Sequence, residues 1–404
     1  MTTPCRTTQR VPMQMLAGQA RTAAMSVERN LLLVSRSPHW SRVVHQAAAA
    51  MGGWAVSPCG ARDALTRLAG ADQHYTHLLV EGTSADGLLN ALVDLAAEAS
   101  GADTEMLMLG ASADTRPHIG VIRHANTSSV REALMPRPPL CGAIDLAMQP
   151  NELRDALAGS MIETRYQPIV RIADRRPTAL EALARLNHPE RGTLLPDRFV
   201  PQIEDAGLAP ELTELVSDRA FADMTGPLLA GRGLAITVNF PLDVLLTPSA
   251  LRRLEAQRLA AGLPADQVII ELTESRPVED FVALRQPLEY LRTLGYRVAI
   301  DDAGPAVPGL AQLVELPFTS LKLDKDLVRQ SVADLAATAA LRGMIALAHR
   351  HGLPVVAEGV ETALIWDHMQ ALGVAEAQGF LVARPLPVAA VPIWLDSWLQ
   401  PALG

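Results

Sequence analysis

The chain has 404 residues, 49% of them hydrophobic, and a formal net charge of −9. That length exceeds one ordinary domain and predicts two. The acidic balance argues against polymeric nucleic acid as the main partner, because phosphate binding draws mostly on Lys and Arg; no apolar run reaches the roughly 18 residues of a membrane span.

In chain order, residues 1–28 mix Thr, Arg, Gln and Met without an apolar h-region, and predict a loose leader, not a secretory signal. From 29 to 135, strand-like runs at Leu31–Val34, Leu78–Val80, Met106–Leu109 and Ile119–Ile122 alternate with helix-compatible stretches such as Val43–Met51 and Leu88–Ala99. This alternation predicts a small doubly wound α/β domain. The stiff stretch Met135-Pro136-Arg137-Pro138-Pro139 cannot continue a helix and marks a boundary, with residues 136–159 serving as linker and connecting helix over Asp145–Ser160. Cys5, Cys59 and Cys141 make no C-x-x-C pair, which argues against a disulfide framework and a structural zinc site and predicts a reducing, cytoplasmic setting.

Beyond residue 160, seven short apolar runs each end in a polar group: Glu181, Asn239, Glu271, the pair Asp301-Asp302, Lys322, Glu358 and Gln378. An early strand at Tyr166–Ile172 makes eight. Between them lie helical candidates at Pro210–Met224, Ala250–Ala261, Glu279–Leu294, Leu327–His351 and Ala363–Leu372. The pattern predicts a TIM-like (β/α)8 barrel over residues 160–398, with the polar endings converging at one mouth.

So many neighbouring carboxylates cannot all ionise without a cation. Oxygen donors with no Cys or His point to Mg²⁺ or Mn²⁺. The adjacent pair Asp301-Asp302 suits two ions, the arrangement that clamps an in-line displacement at phosphorus. Among 35 basic residues only Lys322 and Lys325 are lysines, and Lys322 sits at one of the endings, where a tunable cation could orient or activate a water. These residues read as a metal-dependent phosphodiesterase. The bland alternative, ordinary hydrogen bonds at strand ends, would leave carboxylates buried without partners, which is costly. His188 before Pro189 reads as a loop anchor, and His349 and His351 as helix-end or solvated groups.

The same segments resemble the EAL-domain cyclic-di-GMP phosphodiesterases, over roughly residues 160–395. The resemblance is carried by Tyr166-Gln167-Pro168-Ile169-Val170, Glu181-Ala182-Leu183-Ala184-Arg185, Glu271-Leu272-Thr273-Glu274, Asp301-Asp302, Lys322-Leu323-Asp324, Ala357-Glu358-Gly359-Val360-Glu361 and Gln378-Gly379-Phe380. It implies hydrolysis of cyclic di-GMP to linear pGpG by a homodimer. Glu181, Asn239, Glu271 and Asp301 would hold one metal, and Asp301 with Asp302 the second. Lys322 would hold the attacking water, and Glu358 would act as general base or as a water-mediated ligand. Gln167, Arg185, Glu361 and Gln378 would bind substrate or support its site, and Glu274 would anchor the loop after the Asp pair. That loop departs from the family pattern: Ala303–Leu310 carries Pro305 and Pro308 and no hydroxyl. Leu186 and Pro241 also replace the family's usual Trp and Ser. A cyclic-di-GMP receptor or protein-interaction module of little or no turnover is therefore the alternative. Residues 29–135 resemble a degenerate response-regulator receiver, with Ser35-Arg36-Ser37 where an acidic pair belongs, Glu81 where the phosphoacceptor Asp belongs, and no Lys before residue 322. This implies a fold without phosphotransfer that serves dimerisation or docks a protein partner.

Overall fold

A computed structural model of the protein describes residues 29–69, 75–81, 92, 105–110, 119–122, 125–134, 147–273, 281–305 and 309–399. The expected leader, most of the proline-rich boundary, nearly all of the helix at Leu88–Ala99, Glu274 and residues 306–308 lie outside these.

The first part is one parallel sheet of β1 (Arg29–Val34), β2 (Trp54–Cys59), β3 (His77–Glu81), β4 (Glu105–Leu109) and β5 (Ile119–Ile122), ordered β2-β1-β3-β4-β5. This is the order of flavodoxin-like doubly wound folds. Leu31 and Leu33 pack on one face with Val43, Val44 and Ala47 of α1 (Pro38–Met51). Leu32 and Val34 pack on the other with Ala64, Leu65 and Leu68 of α2 (Ala61–Ala69). Burial of both faces is why these strands read as unbroken apolar runs. Strand β2 escapes a sequence reading because Pro58 interrupts it; it is an edge strand, where proline is tolerated.

The second part is the barrel. Its strands are β6 (Ile162–Arg171), β7 (Pro177–His188), β9 (Ala235–Pro241), β10 (Val268–Thr273), β11 (Arg297–Ala303), β12 (Ser320–Leu323), β13 (Val355–Ala357) and β14 (Glu376–Gln378), with the short β8 (Gly192–Leu194) paired outside β7. Pairing of β6 with β7 closes the sheet. The eight expected strands are present, with one departure from a regular (β/α)8 barrel. Strand β6 runs antiparallel to both its neighbours, β7 and β14. The connection from β6 to β7 is too short for the crossover helix that a parallel pair needs. Its turn is pinned by Arg175, at φ 59°, whose guanidinium lies 5.2 and 4.6 Å from the Trp366 and Trp398 ring centroids.

Most expected helices form near their predicted bounds, as Ala209–Thr225, Pro248–Ala261, Phe281–Leu294 and Ala363–Ala371, with the connecting helix at Pro150–Ala158. The stretch expected as one helix over Leu327–His351 is two, Lys325–Gln330 and Leu335–Arg350, because Asp334 caps the second by accepting from Ala336 N–H at 2.8 Å. His188 anchors its loop as expected: it contacts Glu152 of the connecting helix at 2.8 Å and accepts from the Glu190 and Arg191 amides. The two parts share a core, since Leu65 and Leu68 of α2 belong to the same buried cluster as Trp394 and Leu395 of the terminal helix Val391–Trp398. Among the described residues no helix is long and apolar enough to cross a membrane.

Candidate active site

Inside the barrel a single ammonium organises the polar endings. Lys322, on β12, is 1% exposed. Its Nζ lies 2.6 Å from Glu358, 2.9 Å from Glu271, 3.0 Å from Asp301 and 3.6 Å from Glu181. The hydrogen bond goes to Glu271; the Asp301 Oδ1 contact is one of charge, without hydrogen-bond geometry. Four carboxylates, three on strands and Glu358 directly after β13, therefore share one cation.

The neighbouring strands add amides. Gln167 pairs with Glu181 across β6 and β7, which puts both side chains on the same face. Glu181 then accepts from Asn239 Nδ2 at 3.1 Å and from Gln378 Nε2 at 2.5 Å, while Gln378 also donates to Gln167 Oε1 at 3.1 Å. Glu181 does not end its strand, contrary to the sequence expectation. Strand β7 continues to His188 because the hairpin with β6 keeps pairing as far as Leu186.

Two consecutive aspartates in a regular strand would point to opposite faces. Here β11 bulges: Ile300 pairs with Leu321 and Ala303 with Leu323, so Asp301 and Asp302 together oppose Lys322. Asp302 takes φ 47°, a left-handed conformation that Asp tolerates better than most residues. The bulge re-aims the second carboxylate. Oxygens of Asp301, Asp302 and Glu358 come within 4.8 Å of one another as a result.

The electrostatics separate these carboxyls. Burial pushes Glu271 well above its usual range despite Lys322, and pushes Glu358 to about 8. Burial acts on Glu181 too, but Lys322 and the amide donors Gln378 and Asn239 outweigh it and hold that carboxyl below its usual value. Asp302 is raised, first by lost hydration within the cleft although much of its surface is exposed, then by Asp301 beside it. Burial alone would lower the Lys322 ammonium; Asp301, Glu181, Glu271 and Glu358 reverse this and raise it well above the usual lysine value. A charged lysine is held among carboxyls of which at least two favour the neutral form.

A cleft of about 780 Å³ opens over this cluster, and Gln167, Glu361 and Gln378 line it. Arg185 is buried further along β7, where Nη1 donates to the Ala184 carbonyl, and is not among the residues lining the cleft. One wall was missed from sequence: Val200 and Leu212, from helices Pro196–Asp205 and Ala209–Thr225, give it an apolar surface. Lys325 and Phe380 also line it. The signal for that wall was the apolar spacing Phe199, Val200, Ile203. Gly379 is required at the cleft edge, because a Cβ there would sit 2.3 Å from the Val360 amide nitrogen. A second cavity, of about 600 Å³, enters from the opposite end of the barrel and reaches Glu271 and Lys322 from behind.

In the first part, Glu81 is already engaged. Its Oε2 accepts from the Ser35 hydroxyl at 2.8 Å and from the Arg36 and Ser37 amides at 3.1 and 3.3 Å, at the entry to α1.

The donor set of the barrel mouth, carboxylates and amides without sulfur or imidazole, fits a hard divalent ion. Residues 150–385 match the family described as EAL domain. An uncharacterized signaling protein of Caulobacter vibrioides is 34% identical over 246 residues, covering 61% of this chain and 30% of its own length. Cyclic di-GMP phosphodiesterase NbdA of Pseudomonas aeruginosa is 36% identical over 248 residues, covering 61% of this chain and 32% of its own length. The chain thus spans a minor part of these curated relatives. Among solved structures, the PaMucR phosphodiesterase in complex with c-di-GMP superposes with a TM-score of 0.57 at 31% identity, over 60% of this chain and 98% of that one. The EAL domain of Mycobacterium smegmatis DcpA gives 0.51 at 29% identity, over 59% and 100%.

Proposed function

Because the chain belongs to the EAL domain family through residues 150–385, we propose that it hydrolyses cyclic di-GMP to linear pGpG with Mg²⁺ or Mn²⁺, residues 160–398 forming the catalytic unit. The observation that carries this reading is the bulge of β11, which turns two consecutive carboxylates toward Glu358 at the barrel mouth. Relatives named cyclic di-GMP phosphodiesterase support the substrate.

Glu181, Asn239, Glu271 and Asp301 would hold one ion, and Asp301 with Asp302 the other. Such a pair lowers the pKa of a water and screens the charge that develops at phosphorus. Lys322 keeps its proton and supplies fixed positive charge beside the reacting oxygens. Glu358, 2.6 Å from that ammonium, takes the proton of the attacking water. The water oxygen bonds to phosphorus as the phosphorus–oxygen bond to the ribose 3′ position breaks, and the leaving oxygen gains a proton. Gln378 and Asn239 hold Glu181 ionised and fixed. Gln167 is assigned to the substrate phosphates, and the apolar wall of Val200 and Leu212 suits the flat faces of guanine bases.

The test is chromatography of cyclic di-GMP incubated with the purified chain and either metal. Linear pGpG should appear, and Glu181→Gln should abolish it. A second reading is supported by the loop after Asp302, where Ala303-Gly304-Pro305 offers no hydroxyl and one fewer amide. Tight binding with no product after hours at micromolar enzyme would favour that receptor over the hydrolase.

A further inference from the structure

One wall of the cleft is the segment Gly379–Leu386, which contributes Gly379 and Phe380. Its backbone groups are taken up from several sides. The Val382 carbonyl accepts from Trp394 Nε1 at 3.1 Å, and the Ala383 carbonyl accepts from Gln167 Nε2 at 3.0 Å. Tyr166 and Leu386 exchange both of their backbone bonds, at 2.7 and 2.8 Å.

A further bond comes from the other part of the molecule. The Arg384 amide donates to the carbonyl of Ala69, at 2.8 Å. Ala69 is the last residue of α2, and helix ends leave such carbonyls without partners inside the helix. The Arg384 guanidinium lies over the Phe380 ring at 4.2 Å from its centroid. Trp394, which holds Val382, belongs to the terminal helix that shares its buried core with Leu65 and Leu68 of α2. Helix α2 therefore grips this segment twice, directly at Arg384 and indirectly through Trp394.

Gln167 carries the grip inward. Its Nε2 is on Ala383, while its Oε1 receives Gln378, which in turn bonds Glu181. Two side chains separate the α2 contact from a carboxylate of the candidate site.

We propose that α2 is a positioning element of the cleft: by holding Arg384 and the helix of Trp394, the N-terminal part sets the stance of Phe380 and Gln167, and thereby the affinity of the barrel for cyclic di-GMP. This rests on the hydrolase reading above. An effector that displaces α2 acts first on Phe380 and Gln167, with two side chains between it and Glu181, so its signature is larger in KM than in kcat.

The test uses the full chain with Leu68→Asp, which puts a charge into the face α2 buries, and Leu68→Met as the conservative control. Hydrogen exchange at the Arg384 amide should quicken roughly tenfold or more in Leu68→Asp as its acceptor is lost. KM for cyclic di-GMP should rise about fivefold with kcat within about twofold, and Leu68→Met should behave as wild type. Faster exchange with unchanged KM would overturn the proposal, as would unchanged exchange. If Leu68→Asp fails to fold, Arg384→Pro supplies the second arm, because it removes the amide N–H that Ala69 accepts. It should raise KM about as much while Arg384→Lys, which keeps the amide, behaves as wild type, and an unchanged KM in Arg384→Pro is equally fatal. Exchange is read without turnover: a chain that makes no pGpG sinks the hydrolase reading, while the exchange arm still decides the contact.

Discussion

Replacing Lys322 with Met removes the ammonium and keeps an unbranched side chain of similar length. Glu271, Asp301, Glu358 and Glu181, now 2.6 to 3.6 Å from that nitrogen, would be left around an apolar group. Removing one partner of a buried pair costs about 3–5 kcal/mol. Protonation relieves part of this, and Glu271 and Glu358 already favour the neutral form. The loss should therefore lie near 3 kcal/mol at about pH 6 and approach 5 kcal/mol at about pH 8.5, where protonation is harder. At about 2–4 °C per kcal/mol for a domain of this size, the barrel's melting midpoint falls by roughly 6–20 °C. Thermal melts in EDTA read this directly. The same melts with Mg²⁺ should show a larger gain for the variant than for wild type, since an ion replaces the missing charge. A metal-free midpoint within about 2 °C of wild type at both pH values, or equal gains from Mg²⁺, would refute the role given to this ammonium.

Stability of the metal-free protein should fall as pH rises from about 4.5, the unfolded value for Glu, through the folded value of about 8 at Glu358, because a raised pKa favours the protonated fold. Urea titrations in EDTA at pH 5 and 9 measure it, and greater stability at pH 9 would contradict the assignment. Asp302→Asn should weaken metal binding while changing stability by less than about 1 kcal/mol, whereas Asp302→Val, β-branched at a left-handed φ, should cost about 1–3 kcal/mol; calorimetry with Mn²⁺ and denaturant melts separate the two effects. Acetyl phosphate should leave hydrolysis unchanged, because β3 ends in Glu81 and not Asp, and that carboxylate is engaged by Ser35 and two amides. Stimulation by acetyl phosphate would show that the N-terminal sheet still takes a phosphoryl group.

The chemistry of the mouth was legible because it depends on residue type. A lysine among carboxylates, each closing an apolar run, leaves few alternatives once the runs are strands of one barrel. Geometry was less legible. Nothing in Val298–Ala303 announces that β11 bulges, since the bulge is set by its pairing with Leu321 and Leu323. The end of β7 was misplaced for a related reason, because Ala182–Leu186 is kept extended by β6 and Asn187–His188 by β8, partners outside its own local pattern. The grip of α2 on Arg384 was invisible, as it joins residues 315 positions apart through backbone atoms that every residue carries.

Lysine chemistry gives the buried ammonium a practical consequence. Lys322 is shielded and held protonated, so an amine-reactive reagent finds it neither accessible nor nucleophilic. Lys325 is exposed and lines the cleft. With only two lysines in the chain, the protein presents a single reactive side-chain amine, placed at the rim of the cleft. A fluorophore attached there would report cleft occupancy in the native sequence, with no engineered cysteine and no other labelled side chain to subtract.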